Sequence, residues 1–157
     1  MTVRELISEL EHMLAEGLEL DAILEAAVRR LHETDPRFDW TGIYELFPDD
    51  VLRLGPFVGA PTEHVFIGAG NGVCGTAVAE KRNINVPDVR DLDNYLACST
   101  ETRSELVVLI RDGDEIYAQI DIDSHQVAAF DDDTVQSVEQ LADTLANVYA
   151  ARRGAHS

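Results

Sequence analysis

Apolar residues recur at helical spacing in three parts of the chain. Across residues 3–16, VRELISELEHMLAE, one face collects Val3, Leu6, Ile7, Leu10, Met13 and Leu14, and Gly17 stops the pattern. A second amphipathic helix over 20–33 gathers Leu20, Ile23, Leu24, Ala27 and Leu31, and Pro36 lies just beyond it. The third helix spans Asp131 to Ala151, with Val135, Val138, Leu141, Leu145 and Val148 facing inward. Asp131, Asp132 and Asp133 stand at its start, where acids favour the helix dipole.

Between the second and third helices the pattern becomes that of strands. FDWTGIYELF (38–47) and VLRLGPFVG (51–59) read as two short strands joined by a Pro-Asp-Asp turn. Residues 59–75 are glycine-rich and read as a loop that opens a short helix near residue 72. NINVPDV (83–89) is a brief strand, and 90–103 has no period and reads as loop. SELVVLI (104–110) and EIYAQIDID (115–123) form a hairpin around Asp112-Gly113-Asp114. No repeat or linker divides the 157 residues. The expectation is a single α+β domain over 1–157, with a helix pair at 3–34 and a core at 38–151, its helices segregated to one side of a sheet.

The hairpin raises a question of chemistry. Asp121 and Asp123, in IDIDS, are two apart in a strand and therefore share a face. A two-residue loop at Asp112-Gly113 would pair Glu105 with Ile120 and turn Glu105 away from both aspartates. A three-residue loop at 112–114 would pair Glu105 with Asp121 and put three acids on one face. Gly113 suits either loop, so the register stays open.

Composition weakens any argument from one acid alone. The chain carries 30 acidic against 12 basic residues, a net charge of −18. Eleven of the basic residues are Arg, and Lys81 is the one lysine. Such a balance fits a salt-adapted, halophilic protein with a hydrated carboxylate surface. It argues against nucleic acid and anionic membrane partners. No stretch approaches membrane-spanning length and no secretory leader is seen, so a cytoplasmic location is expected. Two cysteines, Cys74 and Cys98, make neither a disulfide scaffold nor a four-ligand zinc site. The histidines have no ligand-like spacing, and neither a metal nor another cofactor is expected. Each cysteine can be a small buried apolar residue, which is the usual fate of a free thiol.

Taken in order, FDWTGIYEL, LRLGPFVG, GNGVCGTAVAEKRNINVPDV, YLACS, RSELVVLI and IYAQIDIDS resemble the free methionine-(R)-sulfoxide reductases, which are single GAF domains. The resemblance covers roughly residues 38–148. It implies a GAF-type antiparallel sheet, reduction of the R-sulfoxide of free methionine, and a thioredoxin-like reductant. It places the family nucleophile on Cys98 and a second family cysteine on Cys74. The acids that hold substrate and serve the sulfoxide oxygen fall on Glu105, Asp121 and Asp123, and an aromatic wall falls on Trp40 and Tyr44. Four apart on one strand, Trp40 and Tyr44 read equally well as core. The substrate carboxylate would suit the backbone N–H groups at Gly72 and Val73, where GNG opens a helix. Cys74 at that helix start is expected to have a lowered thiol pKa.

The chain also departs from the family pattern. A third family cysteine, ten residues before the one in Gly-Val-Cys-Gly, is His64 counted back from Cys74 and Glu63 counted forward from Gly-Pro-Phe. The residue after the nucleophile is Ser99, and the usual Gly-His pair is Asn94-Tyr95. A Cys74–Cys98 disulfide is then the intermediate that the resemblance implies. The rival class is a GAF domain without catalysis that binds a small ligand as a sensor or serves only to dimerise. The apolar surface of the 3–16 helix, with the habit of GAF domains to pair through terminal helices, predicts a homodimer.

Overall fold

A computed structural model describes residues 1–93, 95 and 101–154. Six strands form one antiparallel sheet: β1 (Trp40–Leu46), β2 (Val51–Val58), β3 (Phe66–Gly68), β4 (Ile84–Val86), β5 (Ser104–Asp112) and β6 (Glu115–Ser124). Their spatial order is β3-β2-β1-β6-β5-β4. Four helices, α1 (Val3–Ala15), α2 (Leu20–Glu33), α3 (Gly72–Glu80) and α4 (Asp132–Gly154), complete the described fold, with a short 3₁₀ turn at Val89–Asp91.

Local chemistry explains the helix boundaries. Thr2 caps α1 by accepting a hydrogen bond from the Glu5 N–H at 3.1 Å, and its hydroxyl donates to the Glu5 carboxylate. Asp131 does the same for α4, accepting from the Thr134 N–H at 2.9 Å. Lys81 closes α3 in the left-handed region with φ 55°. Arg152, near the end of α4, donates to the carbonyls of Leu14 and Leu18, which ties α4 to the α1–α2 turn.

Strand alternation divides the apolar residues between two clusters. Ile43, Leu106, Val108, Ile110, Ala118, Ile120 and Ile122 point to one face, where α1, α2 and α4 bury them. Val107 and Leu109 point to the other, against Val73, Cys74, Ala77 and Val78 of α3. The terminal helices thus pack on one side as expected, while the short α3 covers the opposite face. That second layer is where the sequence places its chemistry.

The apolar stripe of α1 is used within its own chain. Leu6 and Leu10 are fully buried, and Val3, Ile7, Met13 and Leu14 pack half-buried against the same core. It is not spare surface for pairing, contrary to the premise of the homodimer expectation. Deleting residues 1–16 is therefore expected to lower the melting temperature sharply and not simply to yield a folded monomer. The two buried leucines alone account for about 2 kcal/mol each. Thermal unfolding by circular dichroism checks this; an unchanged melting temperature would place α1 outside the core. Light scattering of the full chain reads its assembly separately.

The charge gives a second expectation. Ion pairs at the surface, such as Arg29–Glu25 and Arg82–Glu80, engage some of the 30 acids, but twelve basic residues leave a net charge of −18. Self-repulsion is screened by salt. The melting temperature is expected to rise by about 5 °C or more from dilute buffer to molar KCl, roughly 1–2 kcal/mol for a domain of this size. A flat profile would remove the salt-adapted reading.

Candidate active site

The hairpin register answers the question that the sequence left open. Its tightest pair is Asp112 with Glu115, so the loop is Gly113-Asp114, and Gly113 takes φ 59°. That turn alone would put Glu105 opposite Ile122. A bulge between Ile110 and Arg111 inserts Tyr117 into β6, so that Ile110 pairs with Ala118. Beyond the bulge Glu105 pairs with Asp123 and Val107 with Asp121. Neither anticipated loop forms, yet the inserted residue restores the alternation that a three-residue loop would have given. Glu105, Asp121 and Asp123 share one face and are buried.

β1 lies on the other side of β6 and adds to that face. Trp40 pairs with Asp123, Gly42 with Asp121 and Tyr44 with Gln119. The Trp40 ring leans across position 42, where a Cβ would come within 2.5 Å of it, so only glycine fits there. Trp40 stacks against Phe57 and Tyr44, with ring centroids 5.6 and 6.3 Å away. Its Nε1 donates to the Ala60 carbonyl at 3.0 Å, and the Tyr44 hydroxyl donates to the His64 carbonyl at 2.8 Å. Both aromatic residues are buried, and both fasten the 60–64 loop over the sheet.

α3 approaches from above. At Gly75 a Cβ would meet the Gly68 carbonyl at 2.4 Å, so this glycine allows the helix to press against the 68–70 turn. Gln119 donates from Nε2 to the Cys74 carbonyl at 3.0 Å and anchors the helix to β6. The Cys74 thiol then points at the acids, and its Sγ is 3.9 Å from Glu105 Oε2. Tyr44, His64, Ile67, Asn71, Gly72, Val73, Cys74, Glu105 and Asp121 enclose a cavity of about 10 Å³, close to the room one water needs. Gly72 and Val73 also line an open groove of about 430 Å³ that runs along Thr76, Ile84 and Leu92. The backbone at the start of α3 therefore borders both spaces.

Burial dominates the electrostatics. The Glu105 carboxyl is pushed well above the usual range by burial and then by the charges of Asp121 and Asp123. Asp121 is also raised by burial, with hydrogen bonds from Glu105 and Cys74 working the other way. Acids so crowded cannot all ionise, and the cluster keeps a proton. The expected low pKa of Cys74 is not found. Burial and the negative field of Asp121, Glu105 and Asp123 push its thiol well up, which outweighs the helix start. Cys74 is a neutral thiol inside an acid cluster.

Of the residues singled out by sequence, Cys74, Glu105, Asp121, Tyr44, Gly72 and Val73 line one cavity. Asp123 and Trp40 are on the same sheet face beside it. Cys98, the expected nucleophile, falls outside the described residues, as do Asn94 and Ser99. Sequence reasoning missed Gln119 and Gly42, and it treated His64 only as a departure from a motif. Gln119 had a usable signal, since it continues the period-two series of Asp121 and Asp123.

Comparison with known proteins agrees with this architecture. A model of the GAF domain matches residues 19–149. The free methionine-R-sulfoxide reductase of Escherichia coli (strain K12) is 38% identical over 120 residues, which is 76% of this chain and 72% of that protein. The X-ray structure of free methionine-R-sulfoxide reductase from Neisseria meningitidis in complex with its substrate superposes with a TM-score of 0.88 at 31% identity, covering 98% of this chain and 91% of that one. A putative GAF sensor protein from Burkholderia vietnamiensis superposes with a TM-score of 0.87 at 28% identity, over 96% of each chain. The chain belongs to the GAF domain family and, within it, to the free methionine-R-sulfoxide reductases.

Proposed function

We propose that the protein reduces free L-methionine-(R)-S-oxide to methionine with thiols as the electron source. The observation that carries this reading is the buried cluster of Glu105, Asp121 and Asp123 against the Cys74 thiol, beneath an aromatic wall. Sulfoxide reduction needs a proton donor at an oxygen and an apolar wall for a thioether, and the buried carboxyls beside Trp40 and Tyr44 support that reading.

In this mechanism Cys98 attacks the sulfoxide sulfur as its thiolate. A bond forms between the two sulfurs as the sulfoxide oxygen takes a proton from Glu105. The oxygen then passes to the Cys98 sulfur while the sulfur–sulfur bond breaks, which releases methionine and leaves a Cys98 sulfenic acid. Protonated Glu105 hydrogen-bonds the sulfoxide oxygen and stabilises the charge that grows there. Asp121 and Asp123 bind the substrate ammonium, and the N–H groups of Gly72 and Val73 receive its carboxylate. Trp40 and Tyr44 shape the apolar wall for the methyl thioether. Cys74 then condenses with the sulfenic acid, releasing water and forming a Cys74–Cys98 disulfide, which a thioredoxin-like dithiol reduces.

A sensor reading is favoured by His64 and Glu63 standing where the family carries a thiol, and by the likeness to a putative GAF sensor protein. The two readings part in one assay. Reduced protein with dithiothreitol is given methionine sulfoxide of either configuration, and free methionine is quantified. Methionine formed from the R isomer and not the S isomer supports the reductase. No turnover of either isomer hands the chain to the sensor class.

A further inference from the structure

One sulfur and two carboxylates in the site meet the requirements of a different ligand. One ligand atom each from Cys74, Glu105 and Asp121 lies within 4.8 Å of the others, and all three residues are buried. They come from α3, β5 and β6, so the fold assembles a set that no local sequence spacing announces. Asp121 is only 1% exposed, yet its Oδ1 has no hydrogen-bond partner among the described residues, although the residue lines the shared cavity. A buried carboxylate oxygen left in that state is costly, and a cation would satisfy it.

The dimensions suit a borderline-soft divalent ion. Bonds of about 2.3 Å to sulfur and about 2.0 Å to oxygen at a tetrahedral angle set sulfur and oxygen about 3.5 Å apart. Cys74 Sγ and Glu105 Oε2 are 3.9 Å apart, so that pair needs a shift of only a few tenths of an ångström, and side-chain rotation draws in Asp121 from within 4.8 Å. The thiol selects against magnesium and calcium, which prefer oxygen alone. His64, half-buried, lines the same cavity and offers an imidazole to complete the set.

We propose that Cys74, Glu105 and Asp121 form a binding site for a zinc-class divalent cation, with His64 as its fourth protein ligand, and that the ion excludes the sulfoxide substrate. Binding stands on the geometry alone; only the exclusion of substrate rests on the reductase reading. The ion occupies the contact between thiol and acid that the reaction uses, so the working enzyme is the metal-free form. Zinc then acts as a reversible brake, released by a chelator.

Cobalt(II) is the spectroscopic probe, added to the full-length protein kept reduced by a phosphine, with Zn²⁺ as competitor. The expected result is a near-ultraviolet thiolate-to-cobalt charge-transfer band with visible bands of tetrahedral intensity, all displaced by Zn²⁺ and unaffected by Mg²⁺. The band persists in Cys98→Ser, disappears in Cys74→Ser, and Asp121→Asn and His64→Ala each weaken binding by at least about tenfold. Asp121→Asn keeps shape and volume, so its melting curve verifies folding independently of cobalt. Absence of the band, its survival in Cys74→Ser, or unaltered affinity in folded Asp121→Asn would overturn the site. Unaltered affinity in His64→Ala would overturn the fourth ligand. Steady-state assays with and without EDTA separate the two ideas. Zinc that raises the apparent KM reversibly supports exclusion, and turnover insensitive to bound zinc overturns it. A protein that binds cobalt but turns over no sulfoxide in EDTA overturns the reductase reading and leaves the metal site standing.

Discussion

Cys98→Ser is expected to abolish the formation of methionine from one equivalent of the R-sulfoxide, while Cys74→Ser preserves it. The expectation rests on the surroundings of Cys74. Cys74 is 4% exposed, and the acids around it hold its thiol neutral, so it is a poor first nucleophile. Its proposed part is to finish the reaction, once a sulfenic acid has formed on Cys98. Cys74→Ser should therefore make one equivalent of methionine and then stall with thioredoxin, because no second thiol remains in the chain to close a disulfide. A small thiol such as dithiothreitol attacks the sulfenic acid directly and should restore turnover. Rapid quench with amino-acid analysis reads the first event, and mass spectrometry of the oxidised wild type reads the disulfide. Equal methionine from both variants would remove Cys98 as nucleophile.

Glu105→Gln is expected to stabilise the fold while slowing the first turnover by at least about a hundredfold, the scale of a lost general acid. The same acids that serve the sulfoxide oxygen are crowded and buried, and ionising them in the native state is costly. The pKa values of Glu105 and Asp121 lie above those of the unfolded chain, so the native state holds more protons between the two values. Stability from this source is complete below about pH 4, the unfolded carboxyl range, and falls as pH rises through the native value. Glu105→Gln removes part of that dependence. Its melting temperature should exceed that of the wild type at neutral and alkaline pH, by about 2–4 °C for each kcal/mol relieved. The two curves should converge in acid. Measurements in EDTA and molar KCl exclude bound metal and reduce the contribution of general surface repulsion. A variant less stable than wild type at pH 8 would mean that Glu105 is there for structure. Asp121→Asn serves as the second case, because the amide keeps the shape of the acid.

The helices and long strands were legible because their periods are strong and their lengths exceed two turns or five residues. α1, α2 and α4 appear within a few residues of the expected ranges. β3 was not legible: its three residues lie inside the glycine-rich segment and are defined by pairing with β2, Val51 to Gly68 through Arg53 to Phe66. The hairpin register was hidden for a related reason. A bulge is decided by contacts on both sides of β6, including Tyr117 against Tyr149 of α4, and not by the turn sequence. For the site, period two joined Asp121 to Asp123, and the family resemblance joined them to Glu105 and Cys74. The sign of the Cys74 shift was missed because a helix start is a local feature, whereas the acids that oppose it arrive from β5 and β6.

The bulge at Tyr117 also separates the hairpin tip from the chemistry. Pairing from Ile110 with Ala118 down to Ser104 with Ser124 is pinned by neighbours on both sides, while only two residue pairs lie beyond it. The tip residues Asp112 to Asp114 are exposed. Extra residues between Gly113 and Asp114 thus meet only the slowly growing entropy of a longer loop. This makes the tip an insertion port, where an epitope, a fluorophore-labelled peptide or a small domain can be grafted without shifting the parity of the acids.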